Sequence, residues 1–171
     1  MYEFNFIGEI NEENQTTLMN YVLSNKIDKL VININSLGGS VASGVSLYNF
    51  LKKQTFEIIT NNIGEVSSSA ILLYLSGSKR LCEPISKFII HPITLPVNGT
   101  YNYYQIQETN NILLSNINDY KNIVAKETNS LNALYDISSL LKYDSVALDC
   151  ESAYKCGIVT NISINVNEQM D

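Results

Sequence analysis

Asn35-Ser36-Leu37-Gly38-Gly39-Ser40-Val41 is the stretch on which the reading of this chain turns. Residues 29–34 ahead of it carry Leu30, Val31, Ile32 and Ile34, a buried β run, and the Gly38-Gly39 pair ends that strand in a tight turn. Glycine can take φ > 0 and lets backbone approach a ligand closely, so the turn is a candidate source of exposed N–H donors. Behind it, Val41, Val45, Leu47, Tyr48 and Leu51 recur at helical spacing. A strand over 56–60, a turn closed by Gly64 and a mostly apolar helix over 67–76 come next, with Gly77 expected as the C′ glycine of that helix. Residues 88–90 form another apolar strand that delivers His91, the only histidine.

Working outward, residues 2–7 alternate as a strand does, and Asn11 is placed to cap a helix whose first turn holds Glu12 and Glu13. Strand–helix alternation with short turns argues an α/β fold with largely parallel pairing and right-handed crossovers. From 102 to about 126, Tyr103, Ile106, Asn110, Leu113, Ile117, Tyr120 and Val124 fall at alternating three- and four-residue steps. That stripe is narrower than a globular core usually demands, so this helix is expected to leave the domain body and pack on another subunit. A short helix near 151–156, Gly157 as its stop and a last strand around 162–166 complete the chain.

Composition bounds the function. The 171 residues suit one domain, 1–171, and the net charge of −6 with no basic cluster argues against nucleic acid and against an anionic membrane surface. The longest apolar run, 70–75, is too short to span a bilayer. The start shows no signal-peptide pattern. Cys82, Cys150 and Cys156 are odd in number with no CxxC pair, so reduced thiols in a cytoplasmic setting are expected, with no disulfide framework and no structural zinc.

Acyl transfer needs a nucleophile, a base and two N–H donors aimed at the developing oxyanion. Gly64-Glu65-Val66-Ser67-Ser68-Ser69-Ala70 offers a hydroxyl where a strand runs into a helix. First-turn N–H groups there favour an anion. Each feature alone has a plainer reading: a serine near a helix start is usually a cap, a Gly-Gly pair a turn, an isolated histidine a core residue. Their order and spacing point together to a serine hydrolase.

The ordered set Ile34-Asn35-Ser36-Leu37-Gly38-Gly39-Ser40-Val41, Gly44, Tyr48, Gly64-Glu65-Val66-Ser67-Ser68-Ser69, Lys79-Arg80-Leu81-Cys82-Glu83-Pro84 and Ile90-His91-Pro92 resembles the ClpP family, the proteolytic subunit of the Clp protease, within the crotonase-like fold. The resemblance runs from about Phe6 to Gly157-Ile158-Val159. It implies stacked ββα units with a protruding handle helix, here about 102–126. It also implies a serine endopeptidase inside an oligomeric chamber, with Ser68 as nucleophile, His91 as base, and the Gly39 and Ser69 N–H groups as oxyanion donors. No metal or organic cofactor is implied. For the third triad member the resemblance favours Asp144, with alternatives. Asp144 matches with a one-residue shift against Gly157, strict spacing from Gly157 gives Ser145, and Asp149 or no acid at all are the others; Asp136 also follows the long helix.

By the same resemblance the partners are other copies of the chain, in one ring or two stacked through the handle, and peptide or unfolded-protein substrates. An AAA+ unfoldase partner is doubtful, because the family's axial N-terminal segment has no counterpart ahead of the first strand. Other departures are Leu37 where the family has proline, His91 followed directly by Pro92, and two residues fewer near 77–79. Rival readings are a phage head-maturation or signal-peptide-peptidase-like protease of the same fold, a catalytically weak structural subunit of a mixed ring, and a crotonase-type acyl-CoA enzyme. The last has no need of a nucleophilic serine with a downstream histidine.

Overall fold

The computed structural model describes residues 1–128 and 145–162. In chain order the elements are β1 (Tyr2–Ile7), α1 (Glu12–Ser24), β2 (Lys29–Ser36), α2 (Val41–Lys52), β3 (Glu57–Ser67), α3 (Ala70–Leu75), β4 (Lys79–Cys82), β5 (Lys87–Ile90), α4 (Tyr103–Thr128), β6 (Val146–Asp149), α5 (Cys150–Lys155) and β7 (Asn161–Ile162). The sheet runs β1-β2-β3-β4-β7, parallel throughout, with β5 parallel to the far end of β3 and β6 antiparallel to β5. The expected α/β class and parallel pairing are present.

Local chemistry explains the elements. Asn11 caps α1 as expected, its side chain accepting the Asn14 N–H at 2.9 Å. Ser40 does the same for α2 through the Ser43 N–H. All six residues of α3 are buried, as an all-apolar helix requires. Tyr74 from α3 meets Phe88 of β5 edge-on with ring centroids 4.9 Å apart.

Two glycines act differently from the sequence reading. Gly64 does not close a turn; β3 runs straight through it to Ser67. The register slips there, since Ile34 pairs with Asn62 but Ser36 with Val66, and the Asn35 side chain fills the slack by accepting the Glu65 N–H at 3.0 Å. A Cβ on Gly64 would lie 2.9 Å from Asn35 Oδ1. Gly77 is not a left-handed C′ residue: a Cβ there would lie 2.4 Å from Thr60 Oγ1, so packing on β3 demands the glycine. Gly157, at φ 77°, is the left-handed stop of α5. The expected strand over 162–166 lies mostly outside the described residues.

The cysteine expectation is also corrected. Cys82 at the end of β4 and Cys150 at the start of α5 pair as a disulfide, their Cα atoms 6.1 Å apart, inside the range a bridge spans. Counting parity missed this because the fold brings together residues 68 apart in sequence. Cys156 is free and buried.

Arg80 ties three elements together. Its buried guanidinium donates to the carbonyls of Gly77, Glu127, Gly157 and Ile158, and pairs with the Glu127 carboxylate at 3.6 Å. Glu127 also accepts from Tyr48 Oη and from Lys52 Nζ at 2.9 Å. Burial lowers the Arg80 pKa from its ordinary value, with Tyr74 and Glu127 opposing. The end of α4, β4 and the chain after α5 therefore meet at one cation.

Replacing Arg80 by Met leaves the four carbonyls without their donor and takes one of its partners from Glu127, and is expected to cost about 3–5 kcal/mol in urea unfolding. Arg80→Lys recovers little of this, because a single ammonium lacks the planar fork that reaches several carbonyls.

Candidate active site

The parallel strands β2, β3 and β5 end at the same edge, and the expected site residues sit on those ends. Leaving β2, Gly38 and Gly39 adopt φ 94° and 145°, conformations that favour glycine. A Cβ on Gly38 would lie 2.6 Å from Ser68 Cβ and 2.8 Å from the Ser67 carbonyl; one on Gly39 would lie 2.4 Å from the Ile10 carbonyl. The turn is stitched to the segment after β1 by Ile10 N–H to Gly38 O at 2.9 Å and Ser40 N–H to Ile10 O at 2.8 Å.

Ser68 lies between β3 and α3 at φ 54°, the only described non-glycine residue with positive φ. Such a conformation costs roughly 1–2 kcal/mol for a residue with a Cβ. Three contacts hold it. Its N–H donates to Ile89 O at 2.9 Å on β5. Its carbonyl accepts from Ile71 N–H, and from the Tyr120 hydroxyl of α4 at 3.1 Å. Burial pushes the Tyr120 pKa above its ordinary value, so the phenol stays a donor. This tether was not foreseen, since Tyr120 read only as one member of the helical stripe.

Two backbone donors remain without partners. Among the described residues, neither the Gly39 N–H nor the Ser69 N–H reaches an acceptor, and the buried Ser69 hydroxyl also lacks a partner. Ser69 is fully buried, where an N–H is normally satisfied, whereas Gly39 is exposed to solvent. Both donors are open to an acceptor that a ligand would bring.

His91 follows β5, half-buried, two residues beyond Ile89, the partner of Ser68. Its Nδ1 lies 2.8 Å from the Pro92 carbonyl. A carbonyl oxygen only accepts, so in the neutral ring Nδ1 carries the proton and Nε2 keeps its lone pair. The Pro92 carbonyl is a further residue the sequence reading missed.

Of the acid candidates, Asp149 is committed elsewhere. It caps α5, accepting the Ser152 N–H at 2.8 Å, a bond that holds its carboxyl below the usual range. In the β5–β6 register it stands opposite Lys87, at the end of β5 remote from His91. Asp136 and Asp144 lie outside the described residues. The β5–β6 register places Ile90 opposite Val146; one step further along β5 is His91, and one step back from Val146 is Ser145. Among the described residues no group of three His, Cys, Asp or Glu side chains is placed to hold a metal ion. No described helix is long and apolar enough to cross a membrane.

A cleft of about 690 Å³ opens at the Gly38-Gly39 turn, lined by Ile7, Gly8, Glu9, Asn35, Ser36, Leu37 and both glycines. On the handle helix, Tyr120, Ile123, Val124 and Thr128 are buried at one end. Tyr103, Tyr104, Ile106, Ile112 and Leu114 are exposed at the other. The helix spans 103–128 rather than 102–126, and the expectation that it leaves the domain body fits this division.

Residues 5–166 match the Clp protease family model. The chain is 29% identical over 135 residues to the ATP-dependent Clp protease proteolytic subunit of Carsonella ruddii, covering 78% of this chain and 67% of that protein. It is 27% identical over 132 residues to proteolytic subunit 3 of Rhizobium meliloti, covering 76% and 61%. The chain thus spans about two thirds or less of the length of these relatives. Its fold is similar to that of a ClpP1 mutant from Listeria monocytogenes, with a TM-score of 0.80 at 24% identity over 96% of this chain and 92% of that one.

Because Ser68 sits at positive φ, Ser68→Gly is expected to exceed Ser68→Ala in unfolding free energy by about 1 kcal/mol, reversing the usual penalty for glycine. Equal stabilities in paired denaturant titrations would contradict the conformation described for Ser68. Tyr120→Phe removes the tether on the Ser68 carbonyl and is expected to cost about 1 kcal/mol by the same titration.

Proposed function

The chain belongs to the Clp protease family, and from that premise we propose that it is a serine endopeptidase in which Ser68 attacks the peptide carbonyl. The observation that carries this reading is the combination at Ser68: a strained serine with two unpartnered N–H groups flanking it. His91 Nε2 takes the hydroxyl proton as the Oγ–C bond forms. The Gly39 and Ser69 N–H groups receive the oxyanion. Collapse of the tetrahedral species breaks the C–N bond, and His91 returns the proton to the leaving amine. Water, deprotonated by the same imidazole, then hydrolyses the acyl-enzyme.

The Pro92 carbonyl supports the tautomer that this cycle needs before any substrate binds. A carboxylate would add stabilisation of the imidazolium. Asp144 is our choice for it, because the segment 143–153 resembles the family's region around its catalytic aspartate. Ser145 itself carries no charge and serves that purpose poorly.

Substrates are peptides or unfolded chains, and the working unit is a ring-type homo-oligomer, in keeping with a family that forms rings. The exposed apolar side chains on the first half of α4 support contact with another copy. AAA+ partners are general to the family.

A fluorophosphonate probe is expected to label Ser68, located by mass spectrometry. Ser68→Ala should abolish the label, and His91→Ala should slow labelling and peptide cleavage by roughly 10⁴-fold. Asp144→Asn should lower turnover while leaving the folded oligomer intact. A folded wild-type oligomer that takes no label and cleaves no peptide would overturn the endopeptidase reading and favour the structural-subunit alternative.

A further inference from the structure

The cleft beside the Gly38-Gly39 turn has a feature that the hydrolytic machinery does not use. Of the residues that line it, Glu9 alone is charged. Its carboxylate takes no hydrogen bond and no ion pair from any described residue, whereas Glu57, Glu65 and Glu127 all pair with lysine. An exposed carboxylate on a loop is common, but this one is not free to wander at its base. Glu9 O accepts from Asn14 Nδ2 at 2.8 Å, and the next residue, Ile10, is bonded on both sides to the Gly38–Ser40 backbone. A Cβ on Gly39 would lie 2.8 Å from Glu9 Cγ, and a Cβ on Gly38 would lie 2.6 Å from Ser68 Cβ. The carboxylate stem and the serine therefore flank successive residues of one turn.

The rest of the cleft is apolar at its mouth. Ile7 is 56% and Leu37 73% exposed, and both line it beside Glu9. Two exposed aliphatic side chains next to an unpaired carboxylate match the two parts of a lysine or arginine: a hydrocarbon stem that gains by covering apolar surface and a cationic head that seeks an anion. Leucine would fill the walls and leave Glu9 unpaired. Glutamate would meet it with like charge. The net charge of −6 draws cationic peptides toward the protein in the same sense.

We infer that Glu9 is a specificity-determining residue, which selects substrates carrying lysine or arginine within two positions of the scissile bond. This rests on the peptide-hydrolysis reading above. It adds a substrate preference set by electrostatics on the oxyanion side of the site.

The test uses the full chain and peptide mixtures in which Lys, Arg, Leu and Glu are scanned over two positions on each side of the cleaved bond, with cleavage sites mapped by mass spectrometry. At low salt, Lys and Arg are expected to be preferred over Leu by about fivefold at one position, the size of a solvent-accessible ion pair, with the preference shrinking as salt is added. Glu9→Gln should erase the preference, and Glu9→Lys should shift it toward Glu. A wild-type enzyme labelled at Ser68 that cleaves without this preference, or a Glu9→Gln variant that keeps it, overturns the role of Glu9 alone. A wild type that neither labels nor cleaves overturns the hydrolytic reading, and the inference with it.

Discussion

A Cβ on Gly38 would stand 2.6 Å from the Cβ of Ser68, closer than two such atoms ever approach. The turn after β2 and the turn after β3 touch, and only the absence of a side chain on one of them permits it. Much follows from that contact. The strands must end at one edge for the turns to meet, which parallel pairing secures. β3 must reach further than β2, which the register slip at Asn35 and Gly64 provides. Ser68 must turn sharply off its strand, which its positive φ achieves at a cost of roughly 1–2 kcal/mol. That cost is held in place by bonds from Ile89, Ile71 and Tyr120, each on a different element.

Arg80 plays the matching part where β4 meets the end of α4. A guanidinium is a poor core residue by itself, but here its donors reach carbonyls of Gly77, Glu127, Gly157 and Ile158, which come from segments distant in sequence. Those carbonyls belong to chain ends and turns that would otherwise lack partners in a dry interior. One buried cation thus satisfies loose backbone where β4, α4 and the chain after α5 converge. The local α/β units are made by apolar periodicity, and their assembly leans on this polar knot.

The α/β class, the parallel order and the residues at the strand ends were legible because each rests on short-range pattern: alternation before Gly38, helical spacing after it, a lone histidine behind an apolar run. The parts that were not legible depend on contacts across the fold. Gly64 and Gly77 look like turn markers in the chain, yet one makes room for Asn35 and the other for Thr60, and neither neighbour is near in sequence. Cys82 and Cys150 pair because the fold brings the end of β4 to the start of α5, which counting cysteines does not reveal. Asp149 was a plausible acid by residue type, and its use as a helix cap is fixed by the Ser152 N–H three residues on. The Pro92 carbonyl carries no signal at all in sequence, because any residue has one.

The long helix divides into a buried end and an exposed arm. At 26 residues it is roughly 40 Å long, and its buried residues begin only at Tyr120. In mechanical terms α4 is a cantilever clamped at one end. Its clamp is Tyr120 at the near edge and Glu127, locked to Arg80, at the far edge. A bending load on the arm pivots about the far edge and is felt first at the near one. That near edge is the hydroxyl holding the carbonyl of Ser68, so the arm and the strained serine share one bearing point.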